Sequence, residues 1–96
     1  MATKLGTHDL EKALAILPHW RADTARQSIS REFKFSGFSA AFGFMTRVAL
    51  AAQAADHHPD WSNSYDKVSI TLSTHSAGGL TAKDIALATA IDKLAG

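Results

Sequence analysis

The chain has 96 residues, of which 46% are hydrophobic and 20% charged, with a formal net charge of +1 at pH 7 and no cysteine. This length predicts one domain over residues 1–96. The charges form no basic block, which argues against direct binding of nucleic acid. The lack of cysteine excludes disulfides, thiolate metal sites and cysteine nucleophiles, and it fits a reducing compartment. No apolar run is long enough to span a membrane, which favours a cytoplasmic protein.

The start of the chain predicts a loose tail over residues 1–6 and then a short amphipathic helix over about 8–17. Thr7 is a suitable N-cap for this helix, and Pro18 cannot continue it. The helical face is expected to be formed by Leu10, Ala13, Leu14 and Leu17.

Two strands are predicted next. Residues 20–26 favour a short edge strand followed by a turn. Residues 28–35 alternate between apolar and polar side chains, which is typical of a half-buried antiparallel strand. Arg31 falls on the apolar side of this alternation, where its aliphatic stem can lie on the sheet.

Residues 38–56 predict a long helix that is apolar on nearly all sides. One predicted stripe consists of Phe38, Phe42, Met45, Ala49 and Ala52, and a second of Phe44, Val48, Ala51 and Ala55. A domain of this size can cover one side with its own sheet but hardly both. The second side therefore predicts helix-to-helix association in a symmetric oligomer, and the alternative is an alanine-rich helix that tolerates exposure.

The last part of the chain predicts two strands, over residues 62–65 and 67–75, and a final helix. The second strand alternates regularly and is expected to continue to His75. Thr81 and Asp84 have the spacing of a capping box. The core face of the final helix is predicted to be Ile85, Ala88, Ile91 and Leu94. The element order α-β-β-α-β-β-α favours an α+β fold with three helices packed on one face of the sheet.

Three histidines are the main candidates for chemistry. His57 and His58 are adjacent at the end of the long helix, and Pro59 turns His58 away from the helix direction. With His75, and with Trp61 as a flat wall, they suit a planar heterocycle whose protons must be moved. Histidine titrates near neutrality, which suits general acid–base catalysis.

Two other interpretations of these histidines are open from the local sequence. They can simply cap the carbonyl groups at a helix end. They can also bind zinc, but adjacent histidines are poorly placed as co-ligands and no His-x-x-x-His pair is present. His8 and His19 are expected to be solvated surface residues.

The spacing of several residues then becomes informative. His57-His58-Pro59 is followed by Tyr65 six residues beyond the proline, His75 ten beyond the tyrosine and Asp84 nine beyond that. The stretches 31–35 and 70–75 show the same likeness. This spaced set resembles the pterin-4a-carbinolamine dehydratase family over nearly the whole chain, from about Leu10 to the last helix.

The resemblance implies a four-stranded antiparallel sheet with three helices. It implies dehydration of 4a-hydroxytetrahydropterin to quinonoid dihydropterin, the step that recycles the pterin of aromatic amino acid hydroxylases. The pterin is the substrate, and no metal or other cofactor is implied. The implied catalytic residues are His57, His58 and His75. The implied pterin-binding residues are His57, His58, Pro59, Thr74, His75, Ser76 and Ala77, with Gln53, Trp61 and Asp84 in support.

Two positions depart from the family pattern. Family members usually carry an ionisable residue, commonly Glu, where this chain has Gln53, one turn before His57. An amide cannot stabilise an imidazolium by charge, so we expect slower turnover or a lower pH optimum than in a Glu-bearing relative. Ala77 stands where some members carry cysteine, which is expected to cost little.

The resemblance also implies a homodimer or homotetramer that uses the helix over residues 38–56. Mammalian members additionally serve as a dimerisation cofactor for a homeodomain transcription factor. A non-catalytic binding protein that uses the apolar helix is therefore the alternative function. The three histidines argue against it, because a scaffold would not need them.

Overall fold

The computed structural model describes residues 3–96, and Met1 and Ala2 lie outside the described residues. The helices are α1 (Thr7–Ala15), α2 (Phe38–Ala55) and α3 (Ala82–Ala95), and the strands are β1 (Arg21–Ala22), β2 (Ile29–Lys34), β3 (Asp60–Ser64) and β4 (Lys67–Leu72). A short 3₁₀ turn, His75–Ala77, lies between β4 and α3. The predicted α+β class, element order and four-stranded antiparallel sheet are confirmed.

The strand order β1-β2-β4-β3 determines which chain ends meet. β4 pairs antiparallel with β2 on one side and with β3 on the other, so that Ile29 lies opposite Leu72 and Asp60 opposite Thr71. The chain leaving β4 therefore emerges between the start of β2 and the start of β3. This places His75 between the β1–β2 turn and the segment that follows α2.

One face of the sheet is apolar and lies under the helices. The predicted alternation is confirmed in β2 and β4, where the fully buried positions alternate with polar ones. The buried strand residues are Ile29, Phe33, Val68, Ile70 and Leu72. Arg31 lies with its guanidinium 4.3 Å from the centre of the Phe33 ring and donates to Asp92 of α3 at 2.6 Å. Trp20 donates to the same carboxylate at 2.8 Å, so three segments are joined where α3 crosses the sheet.

The long helix α2 has one buried side and one exposed side. Its buried residues are Ala41, Phe44, Val48 and Ala52, which pack into the core. Phe38, Phe42 and Leu50 remain 51%, 57% and 69% exposed, as expected for a helix that is apolar on nearly all sides. The predicted division into stripes was wrong at two positions, because Ala52 belongs to the buried side and Ala55 is exposed.

The start of the chain differs from the sequence expectation. The tail prediction was wrong at two residues, since Lys4 pairs with Thr81 and the Leu5 N–H donates to the Leu80 carbonyl at 2.8 Å. Gly6, rather than Thr7, is the N-cap of α1. This helix ends at Ala15, two residues before the predicted end, although Leu17 is still buried beyond it.

The second of the two C-terminal strands is shorter than predicted. β4 ends at Leu72, because the Thr74 N–H donates to the Gly79 carbonyl at 3.0 Å and closes a tight loop instead of extending the sheet. His75 therefore lies in the 3₁₀ turn rather than on the strand. The first of these two strands, β3, begins at Asp60, two residues earlier than predicted.

Candidate active site

The end of α2 directs His57 into the protein. Asp56 adopts a left-handed conformation with φ 51° and ends the helix. The His57 N–H still donates to the Ala52 carbonyl at 3.1 Å, so the residue is held against the last helical turn. Its side chain is 9% exposed and points to the start of α3. His57 is therefore a positioned, nearly buried ring and not a solvated helix cap.

Asp84 is the partner of His57. The His57 Nε2 atom lies 2.6 Å from Asp84 Oδ1, and Asp84 is completely buried. The other carboxylate oxygen, Oδ2, accepts from the Thr81 N–H at 2.9 Å, while Thr81 Oγ1 accepts from the Lys83 N–H at 3.2 Å. The predicted capping box is confirmed. The same carboxylate also contacts His57, which lies 27 residues earlier in the chain.

The hydrogen bonds of Asp84 define the proton positions on His57. Oδ2 also accepts from the Thr74 hydroxyl at 2.8 Å. An ionised carboxylate only accepts, so in that state His57 carries its proton on Nε2. Within residues 3–96 the ring's Nδ1 has no protein partner, and no buried side-chain nitrogen is left unsatisfied, so Nδ1 reaches solvent. The nitrogen that can exchange a proton with a ligand is therefore Nδ1.

His58 faces a different environment. It is exposed, and its Nε2 lies 3.2 Å from Gln53 Oε1 on the last turns of α2. The expectation that Gln53 supports His57 was wrong, because the left-handed Asp56 ends the helix before the next turn and brings His58 to this side chain instead. The half-buried Pro59 then leads directly into β3.

His75 is the most exposed of the three histidines. Its Nε2 lies 3.4 Å from Ser73 Oγ and 3.8 Å from Asp60 Oδ2, and the side chains of His75 and Asp60 are 86% and 79% exposed. A contact this exposed contributes little to stability even when the imidazole is charged, typically about 0–1 kcal/mol. Sequence reasoning did not select Asp60 as a site residue, because only the pairing of β3 with β4 places it beside His75.

A cleft of about 310 Å³ adjoins His75. It lies between the loop that follows β4 and the β1–β2 turn, and it is lined by Asp23, Gln27, Ser28, Ser73, His75, Gly78 and Gly79. Asp23 shapes the turn, since its Oδ1 accepts from the backbone N–H groups of Gln27 and Ser28 at 2.6 and 3.0 Å. Sequence analysis missed this turn because its nearness to His75 is a consequence of strand order alone.

Two other clefts lie on or beside the sheet. One of about 270 Å³ is lined by Asp60, Trp61, Ser62, Ser69 and Thr71, which places it at the β3 side of His75. The largest of these three clefts, about 480 Å³, includes His19, Arg21 and Glu32 and none of the three candidate histidines. The size of the clefts and the positions of the three histidines therefore indicate different places on the protein.

The remaining predicted site residues differ in how exposed they are and in where they lie. Thr74 is buried and its hydroxyl is already bonded, whereas Ser76 is exposed and Ala77 half-buried on the 3₁₀ turn. Trp61 is half-buried on β3 and packs partly against the core. Tyr65, part of the spaced set, lies in the β3–β4 turn at the opposite end of both strands from Asp60. His8 and His19 are exposed, as predicted.

Hydrogen bonds to Asp84 join three segments of the site: the end of α2, the loop after β4 and the start of α3. Among residues 3–96, the three imidazoles make no hydrogen bond to one another. In the same range, no group of three or more His, Cys, Asp or Glu side chains is arranged to hold a metal ion. None of the helices in the described part of the chain is both long and apolar enough to cross a membrane.

A family profile and individual relatives all assign this chain to the same family. The sequence profile described as "Pterin 4 alpha carbinolamine dehydratase" matches residues 3–94. A protein from Rhodospirillum rubrum, provisionally named a pterin-4-alpha-carbinolamine dehydratase, is 58% identical over 96 residues and all of both chains. A Paraburkholderia xenovorans protein with the same provisional name is 54% identical over 94 residues, covering 98% of each chain.

Solved structures show the same fold. A crystal structure from Brucella Melitensis, titled as a transcriptional coactivator/pterin dehydratase, superposes with a TM-score of 0.93 at 44% identity, covering 98% of this chain and 100% of that one. A pterin dehydratase-like protein, described as a RuBisCO assembly factor in the alpha-carboxysome, has a TM-score of 0.69 at 24% identity and covers 80% of this chain and 89% of its own. This second likeness concerns the fold alone.

Replacing Asp84 by Asn tests the central hydrogen bonds. If the amide oxygen accepts from Thr74 and Thr81, the NH₂ group faces Nε2 of His57, and the neutral ring can accept there only with its proton moved to Nδ1. Because the charged acceptor is lost, Asp84→Asn should lower the free energy of unfolding by roughly 1–3 kcal/mol. The matched change Asp60→Asn, at an exposed carboxylate, should stay within about 0.5 kcal/mol of wild type. Urea unfolding measures both, and equal effects at the two positions would contradict this account of the site.

Proposed function

The chain belongs to the pterin-4-alpha-carbinolamine dehydratase family, and on this premise we propose that it dehydrates a 4a-hydroxytetrahydropterin by histidine general acid–base catalysis. The observation that carries the proposal is the buried His57–Asp84 pair at 2.6 Å. A histidine that only capped a helix at the surface would not need a fully buried carboxylate from another helix. A group that transfers a proton must be held in a fixed orientation and keep one atom free for the ligand. In His57, Nε2 is held by Asp84 and Nδ1 is the free nitrogen.

The proposed reaction needs two proton transfers and no redox partner. The C4a–O bond breaks as the leaving hydroxyl receives a proton and departs as water. A ring nitrogen loses a proton, and its electron pair forms the C=N bond of the quinonoid dihydropterin. The hydroxyl and one hydrogen together make the water, so substrate and products balance without an oxidant or a reductant.

The three histidines receive different roles. His57, fixed by Asp84, and His75, on the 3₁₀ turn, exchange the protons of the reaction. His58 is exposed beside Gln53 and chiefly binds and orients the pterin. Pro59, His75, Ser76 and Ala77 would line the ring, with Trp61 nearby. We assign no metal or organic cofactor, because the pterin itself is the substrate and these steps are proton transfers.

Three alanine variants test the assignment. His57→Ala and His75→Ala should each lower kcat by about 10²–10⁴, the usual contribution of a positioned acid or base. His58→Ala should act more strongly on KM. Ultraviolet absorbance follows dehydration, circular dichroism checks folding, and His8→Ala, an exposed histidine on α1, is the control. A folded wild type that is no faster than the uncatalysed reaction would overturn the enzyme assignment.

Gln53 provides a test of charge at the site. In Gln53→Glu, a carboxylate would lie beside His58 and favour its charged form, so the pH profile of kcat/KM should move to higher pH, through KM more than through kcat. Gln53→Ala removes the hydrogen bond without adding charge and should not reproduce this shift. Added salt should reduce the effect of the glutamate. An unchanged profile in Gln53→Glu would contradict the role given to this position.

We further propose that the protein is a homodimer or homotetramer through the exposed side of α2. Three large apolar side chains, Phe38, Phe42 and Leu50, are more than half exposed on that one helix. Monomeric proteins rarely leave such a patch uncovered. An aromatic amino acid hydroxylase would be the source of substrate, in the cytoplasm, with no membrane or nucleic acid as a direct partner.

Substitution on α2 tests this assembly. Phe42→Ser should lower the molar mass in solution from a multiple of the 10.3 kDa chain towards a single chain. Ile16→Ser, which alters an apolar residue outside α2 that is also more than half exposed, should leave the mass unchanged. Analytical ultracentrifugation measures both variants. A wild type that is monomeric at all concentrations would exclude the oligomer.

A binding protein without catalysis is the second candidate function, and the same exposed side of α2 favours it. In that case a different protein would cover Phe38 and Phe42. The two functions separate experimentally, because a pure binding role requires none of the three histidines. Loss of dehydration in His57→Ala with the mass unchanged would support the enzyme.

A further inference from the structure

Thr74 joins the segment that carries His75 to the buried pair of His57 and Asp84. Its backbone holds the turn, since the Thr74 N–H donates to the Gly79 carbonyl at 3.0 Å and its carbonyl accepts from the Ala77 N–H at 3.0 Å. Its hydroxyl donates to Asp84 Oδ2 at 2.8 Å. The residue is only 6% exposed. One residue therefore holds two parts of the site, one through its backbone and one through its side chain.

The hydroxyl of Thr74 belongs to a chain of hydrogen bonds with one consistent direction. A hydroxyl has a single proton, and Thr74 gives its proton to the carboxylate. The 2.8 Å contact with Thr81 Oγ1 is then donated by Thr81. Thr81 Oγ1 in turn accepts from the Lys83 N–H. This chain of donations runs from the first turn of α3 through Thr74 to Oδ2 of Asp84, and His57 donates separately to Oδ1 of the same carboxylate.

We propose that Thr74 is a positioning residue that acts through Asp84 on His57, an inference that rests on the proposed dehydration. Its hydroxyl fixes the carboxylate so that Oδ1 faces Nε2 of His57. This contact selects the tautomer with the proton on Nε2 and the lone pair on Nδ1. The same residue fixes the turn that presents His75, so the two proton-exchanging rings are held by one side chain and its own backbone.

Direct binding of substrate by the Thr74 side chain is the competing role, and it was the sequence expectation. The structure argues against it, because both the proton and an acceptor position of the hydroxyl are used inside the protein and the residue is almost fully buried. A side chain that bound the pterin would have to break one of these bonds. Substitution would then change KM rather than kcat.

The test uses Thr74→Val, which keeps the branched shape but removes the hydroxyl, and Thr74→Ser, which restores it. Thr89→Val is the control, since this threonine is half-buried and donates to the Ile85 carbonyl within α3, away from Asp84. Removing a hydrogen bond to a charged group should lower kcat in Thr74→Val by about 10- to 100-fold, with KM within about twofold. Thr74→Ser should recover most of the rate, and Thr89→Val should equal wild type.

Nitrogen-15 NMR of the histidine rings gives a readout that packing alone would not move. Wild type, Thr74→Ser and Thr89→Val should show neutral His57 protonated at Nε2. Thr74→Val should show a mixture of tautomers or exchange broadening at His57, with His8 unchanged.

Either of two results would overturn the proposal: a wild-type His57 that is protonated at Nδ1 when neutral, or a Thr74→Val variant with unchanged tautomer and kcat. A rise in KM alone would assign Thr74 to substrate binding instead. If Thr74→Val does not fold, Thr74→Ala, which also lacks the hydroxyl, takes its place in both measurements. The NMR result also stands if no pterin is dehydrated, so failure of this inference is distinguishable from failure of the proposed function.

Discussion

The site and the start of α3 both depend on one buried carboxylate. Asp84 is fully buried, and burying a charge is costly unless hydrogen bonds replace the water it loses. Its three donors come from separate segments: His57 after α2, Thr74 after β4 and Thr81 at the N-cap. A single requirement, the satisfaction of this carboxylate, therefore joins the end of one helix, the end of the central strand and the beginning of another helix.

Strand order supplies the rest of the geometry. Because β4 lies between β2 and β3, the loop that follows it must emerge between the β1–β2 turn and the start of β3. Neighbouring strands are about 4.8 Å apart, so the region from Ser28 across His75 to Asp60 spans roughly 10 Å, which is the length of a substituted bicyclic ring. His75 lies within this region, His58 precedes Asp60 by two residues in the chain, and the buried His57 is joined through Asp84 to Thr74.

Sequence patterns were reliable where the physics was local. The Thr81–Asp84 spacing predicted the capping box, and alternation predicted which faces of β2 and β4 are buried. The bond from Asp84 to His57 spans 27 residues, and no local pattern contains it. Two errors have definite causes: Gln53 meets His58 because Asp56 ends α2 in a left-handed conformation, and β4 stops before His75 because Thr74 bonds Gly79. In both cases the side-chain pattern continues, but a backbone turn ends the helix or the strand earlier.

The most direct measurement is a crystal structure of the protein with a bound, unreactive dihydropterin. The account predicts a ring within hydrogen-bond distance of His57 Nδ1, bordered by His58 and His75, with the His57–Asp84 contact unchanged. A pterin bound in the 480 Å³ cleft that includes His19 and Arg21, or one that leaves His57 Nδ1 without a ligand contact, would contradict it.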